Sequence, residues 1–212
     1  MPRARGQIDT RKSEAILAAA AALLTERGLS VPLEEVARRA KVSKQTVYNH
    51  FGSKTDLVRK LVERRRQMLV APLEGELAHA DPQKTLAAYA EAMIRAVLTE
   101  PYGEIMRLSV AGSLEVPELA DLIFETGVID ARRRLAAWLA EADRLGMLKV
   151  ENPLQAAELF AGMAVGGLQM RVLVQAPLAN DLAEVPARAE RTALLFCRAF
   201  AVEAAPRADA IA

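Results

Sequence analysis

Six polar residues crowd one short stretch, and their types and spacing say what it can do. Lys44, Gln45, Thr46, Tyr48, Asn49 and His50 surround a single aliphatic anchor, Val47. A helix with one anchor does not fill a core, so it presents hydrogen-bonding groups to something polar. Gln45 and Asn49 can each donate and accept along a base edge, Thr46 offers a methyl to thymine, and Tyr48 and His50 can reach phosphates. Ser43 supplies a hydroxyl N-cap for this helix. Lys54, at the start of the following helix, is a candidate phosphate contact through its ammonium and the neighbouring amides. A short polar helix of this kind fits the DNA major groove.

Such a helix reads bases only if packed partners fix its angle. Leu33, Val36, Ala37 and Ala40 fall at i, i+3, i+4 and i+7, which places them on one face of a preceding helix. Pro32 suits its first turn. Upstream, Ile16, Leu17, Ala20, Leu23 and Leu24 form the buried stripe of a helix from Lys12 that Gly28 terminates. Residues 1–9, with Arg3 and Arg5, are expected to be a flexible arm. Downstream, Ser53 and Asp56 have the spacing of a capping box. They open a helix predicted to run to about residue 78, with Pro72 bending or ending it.

The run from Lys12 to Gly28, then Leu33-Glu34-Glu35-Val36-Ala37, Val42-Ser43-Lys44, Val47-Tyr48-Asn49-His50-Phe51 and Ser53-Lys54, resembles the TetR family of bacterial transcriptional regulators. Two positions depart from the pattern. Pro32 stands where many relatives carry a hydroxyl that can contact phosphate, and Lys41 stands at a turn often occupied by glycine. If that turn needs a positive φ, lysine costs roughly 1–2 kcal/mol there. The resemblance implies an all-α homodimer on an inverted-repeat, double-stranded operator. Residues 1–55 would form the arm and helix-turn-helix domain, and residues 56–212 an effector-binding and dimerisation domain.

Charge divides along the same line. Residues 1–66 hold 15 Lys/Arg against 7 Asp/Glu, whereas residues 67–212 hold 13 against 20. One part faces nucleic acid and the other does not. Hydrophobic residues make up 52% and aromatics 4% of the 212-residue chain, which favours helices over strands and excludes disorder over most of its length. There is no run of eighteen apolar residues and no apolar leader, so no membrane association is expected. The lone Cys197 excludes an intrachain disulfide and is consistent with the cytoplasm. His50 and His79 lie far apart with no ligand cluster, so neither a metal nor any other cofactor is expected.

Beyond residue 80 the chain reads as helices near 83–99, 104–114, 117–145, 154–174 and 186–203, separated by proline and glycine breaks. Leu135 to Val174 is similar, more loosely, to the C-terminal domain of AcrR- or AefR-like regulators, in helix spacing, the Gly146 turn and the Asn152-Pro153 helix start. Tyr89, Met93, Met106, Phe124, Trp138 and Met163 are candidates to line an effector pocket, or else ordinary core. Gly162, Gly166, Gly167 and Met170 sit inside one predicted helix, where each glycine costs about 1 kcal/mol against alanine. Close helix packing at a two-fold interface would explain them; packing within one chain is the alternative. The run Arg132-Arg133-Arg134 reads as a solvated helix face, with an anionic effector as the other possibility.

No nucleophile motif, glycine-rich phosphate loop or His/Asp/Cys constellation is present, so an enzyme is not expected. The sequence reads best as a DNA-binding repressor released by a small apolar effector. The alternative is a DNA-binding protein of the same fold that works through protein partners or chromosome organisation.

Overall fold

The computed structural model describes residues 5–75, 77–99, 102–177 and 182–202. Helices α1 (Arg5–Arg27), α2 (Leu33–Arg39) and α3 (Lys44–Phe51) pack with the start of α4 (Lys54–Val70) around Ile16, Leu23, Val36, Val47 and Leu57. The predicted arm is helical from Arg5 onward; Arg3 lies outside the described residues. Once nucleated, a helix adds residues at low cost, and no proline interrupts α1 upstream of Lys12. Ser53 caps α4 as its spacing predicts, with Oγ accepting from the Asp56 amide at 3.1 Å and donating to its carboxylate at 2.5 Å.

Helix α4 is shorter than predicted. It ends at Val70 and gives way to a 3₁₀ turn, Ala71–Leu73. Pro72 sits in that turn, where its missing N–H and its ring prevent α-helical continuation. Then follow α5 (Pro82–Leu98), α6 (Tyr102–Gly112), α7 (Pro117–Ile123), α8 (Asp130–Arg144), α9 (Pro153–Leu173) and α10 (Val185–Ala199). Asp81 and Asn152 cap α5 and α9, each accepting from the amide three residues on at 3.1 Å. The predicted helix over 117–145 is interrupted: Phe124–Ile129 form a π-helical turn between α7 and α8.

The second core lies among α5, α8, α9 and α10. Leu86, Ile94, Leu135, Leu139, Phe160 and Phe196 are at most 1% exposed, and Phe160 meets Phe196 edge-on at 5.1 Å. A small cluster of Leu24, Leu29, Val58 and Leu119 ties α1 and α4 to α7. The fold is all-α, with no strand among the described residues.

Candidate nucleic-acid interface and ligand cavity

Helix α3 is anchored by Val47, which is fully buried, and is otherwise half-buried to exposed. At its N-cap, Ser43 Oγ accepts from the Thr46 amide at 3.0 Å and lies 2.8 Å from Thr46 Oγ1. The angle between α2 and α3 is set by a turn in which Lys41 has a φ of +56° while the Val42 amide reaches back to the Ala37 carbonyl at 3.0 Å. A left-handed lysine stores about 1–2 kcal/mol that glycine would not. At the other end Gly52 has a φ of +74°, and its amide closes the helix on the Tyr48 carbonyl.

The outward face of α3 is pre-ordered. Gln45 Nε2 donates to Asn49 Oδ1 at 2.8 Å, which leaves the Gln45 carbonyl oxygen and the Asn49 amino group for a partner. Lys44 pairs with Glu34 of α2 and lies 5.6 Å from the centre of the Tyr48 ring. The hydrogen bond with Glu34 raises the Lys44 pKa and lowers that of Glu34. His50 packs beside Phe51, with ring centres 6.1 Å apart.

Lys54 makes a contact that its place in the sequence does not predict. Its ammonium donates to the Leu29 carbonyl of the α1–α2 loop, and partial burial lowers its pKa. It therefore anchors the loop that leads into α2 with one of its three donors.

A cavity of about 650 Å³ lies between the two cores. Leu17, Ala21, Leu24 and Leu29 from the first helix and its loop form one wall. Leu61, Val62, Arg65, Arg66 and Leu69 of α4 form another, and α5, α8 and α9 complete it. Most of the lining is aliphatic. Arg65 donates to the Ala96 carbonyl at 3.3 Å, Arg66 pairs with Asp130, and Arg132 lies 3.6 Å from Glu158. Tyr89 is buried beneath Arg132, and desolvation raises its phenol pKa far above the ordinary value. Burial likewise raises the Cys197 thiol pKa on α10.

Residues 16–61 match the family model for bacterial regulatory proteins of the tetR family, and residues 84–202 match that for the C-terminal domain of AefR-like transcriptional repressors. The chain belongs to the TetR family. It is 29% identical over 132 residues to the HTH-type transcriptional regulator AlkX of Mycobacterium tuberculosis, a match spanning 57% of this chain and 60% of that regulator. The solved structure of a TetR-family regulator from Mesorhizobium loti superposes with a TM-score of 0.73 at 22% identity, covering 94% of this chain and all of the other. The flavonoid-responsive regulator FrrA superposes at 0.68 with 27% identity, over 94% and 100% of the two chains. TetR-family regulators bind DNA operators, act as dimers and are not enzymes.

In this TetR-family chain the predicted pocket residues divide. Tyr89, Met93 and Met106 line the cavity; Phe124, Trp138 and Met163 do not. Phe124 is 51% exposed on the π-helical turn, and Met163 points outward from α9. Trp138 is core, stacked on His79 at 4.9 Å. The glycines divide too. Gly162 and Gly166 line the cavity, whereas Gly167 and Met170 do not. A Cβ on Gly162, Gly166 or Gly167 would meet nothing within 4 Å, so close packing within the chain does not explain any of the three.

The arginines of α4 escaped sequence reading, although a signal existed. Val58, Val62, Arg66 and Leu69 share one stripe, and an arginine on an apolar stripe needs a buried partner. Among the described residues no cluster of His, Cys, Asp and Glu could hold a metal, and no helix is long and apolar enough to cross a membrane.

Proposed function

We propose that this protein is a cytoplasmic transcriptional repressor that leaves its operator when a small, largely apolar effector enters the cavity. The supporting observation is that the cavity wall is shared: α1 of the DNA-binding part lines it together with α4, α5, α6, α8 and α9. A ligand there touches both parts of the chain. It shifts the population only by binding one arrangement of α1 and α4 better than the other. The repressor name of the C-terminal family model and the flavonoid response of FrrA fit this reading.

In the same reading Ser43, Lys44, Gln45, Thr46, Tyr48, Asn49 and His50 face DNA. The working unit is a homodimer on an inverted repeat, with residues 1–55 reading DNA and residues 56–212 binding effector and partner. Leu159, Met163, Gly167 and Met170 form an exposed stripe along α9 that continues at its cap, Val174, and Leu195 of α10 is exposed as well, which suits a two-fold contact. Two α3 helices about 34–36 Å apart then meet successive turns of DNA.

The experiment is fluorescence anisotropy on a labelled DNA fragment from upstream of the protein's own gene, with a panel of apolar small molecules. Saturable binding reversed by at least one compound supports the reading. Tight binding that no cavity-occupying compound reverses favours the protein-partner alternative, and absence of DNA binding overturns both.

A further inference from the structure

We propose that the cavity selects an amphipathic anion, an apolar body ending in a carboxylate, which Arg132 and Arg66 hold between α8 and α4. The proposal rests on the cavity being the effector site. It adds the chemistry of the ligand's head.

The charged residues of the lining are Glu14, Arg64, Arg65, Arg66, Arg132 and Glu158, four cations against two carboxylates. Glu14 is taken by Arg64. Glu158 is 67% exposed and lies 3.6 Å from Arg132, a distance and exposure that make for a weak, exchangeable pair. The Arg66 and Arg132 side chains are only 14% and 29% exposed. Each also carries a buried Nε with no hydrogen-bond partner. A buried donor without an acceptor is costly, so a turn of either side chain that brought its Nε to a ligand's acceptor would relieve that cost. A carboxylate suits guanidinium donors in number and geometry. A cationic ligand would meet four arginines, of which Arg66 is already paired with Asp130, and two engaged carboxylates.

The register of α8 makes this selective. Arg132 lines the cavity, while Arg133 and Arg134 of the same run are 60% and 45% exposed and pair with Glu125, and with Glu74 and Asp130. One arginine of the triplet is therefore set against the cavity. Arg66, on the other side, belongs to α4, whose first turn packs in the DNA-binding core through Leu57. A carboxylate held by both arginines would bear on the helix that carries the DNA module.

The test uses the full chain and three ten-carbon probes, decanoate, decanol and decylamine, by isothermal titration. Decanoate should bind at least about tenfold more tightly than decanol, the equivalent of one charge-assisted hydrogen bond, and decylamine most weakly. Arg132→Gln should bring decanoate down to the decanol level and leave decanol unchanged. Glu158→Gln, which frees Arg132 at an exposed position, should tighten decanoate binding and leave decanol unchanged, and serves if Arg132→Gln misfolds. Equal binding of decanoate and decanol, no decanoate binding at millimolar concentration, or a decanoate affinity that neither variant moves overturns the proposal. Operator release is followed separately by anisotropy. Arginine-dependent decanoate binding without release upholds the site and refutes effector release; release by decanol as readily as by decanoate upholds effector release and refutes the anion.

Discussion

Helix α3 and the cavity behind it are built on opposite plans. Helix α3 is convex and contiguous: eight residues, one buried anchor, and side chains whose exposure is their purpose. The cavity is concave and dispersed. Its walls come from helices far apart in the chain, and its lining includes Gly162 and Gly166, both exposed, where a Cβ would meet nothing within 4 Å. A surface that reads a ligand can be written locally by adding groups. A hollow must be written globally by withholding them, and it survives only if the surrounding core is stiff enough not to collapse.

That contrast predicts where truncation is costly. Phe160→Ala, at a fully buried ring against Tyr89 and Phe196, should destabilise the protein by about 3–5 kcal/mol in chemical denaturation. A loss below about 1 kcal/mol would mean that the frame around the hollow is soft. Tyr48→Ala or Asn49→Ala on α3 should instead cost about 1–3 kcal/mol of operator affinity while the melting temperature stays within a degree or two of the parent. A fall in melting temperature comparable to the loss of affinity would make α3 a packing element after all.

Two glycines one residue apart sharpen the comparison further. Gly166→Leu places its side chain into the cavity and should weaken effector binding about tenfold or more while dimerisation persists. Gly167→Leu, on the exposed face, should shift sedimentation toward monomer and leave effector binding intact. Identical behaviour of the pair would erase the boundary between hollow and interface. The smallest effect belongs to Lys54→Ala. It removes the hydrogen bond to the Leu29 carbonyl and should cost about 1 kcal/mol of stability, with the salt dependence of DNA binding unchanged. A salt slope that falls by about one would return Lys54 to the phosphate backbone.

What the sequence made legible follows the same division. The stripes of α1 and α2, the Ser43 and Ser53 caps and, apart from the π-helical turn inside the predicted 117–145 helix, the approximate helix spans after residue 80 could be read because each rests on neighbours within a turn or two. The end of α4 was harder, since proline permits either a kink or a stop, and the choice depends on what packs there. Phe124, Trp138 and Met163 were indistinguishable in sequence from Tyr89, Met93 and Met106. Whether an apolar side chain borders a void or fills one is decided by the partners across from it. The Lys54 bond to the Leu29 carbonyl was not legible for a related reason: the acceptor lies 25 residues upstream.

The π-helical turn at Phe124–Ile129 has a consequence for how this protein can change over time. A π turn holds one residue more than an α turn, so it stores what amounts to a single inserted codon inside an otherwise continuous rod. Deleting one residue there would restore a regular α-helix and leave everything after it in nearly the same phase relative to α7, because the wider turn already absorbs the extra residue. Arg132 would stay against the cavity, while the turn's own contribution to the wall, Gly127 and Val128, would be redistributed without any substitution in the lining. Ligand preference in this lineage is thus open to revision by a gain or loss of length as well as by exchange of side chains.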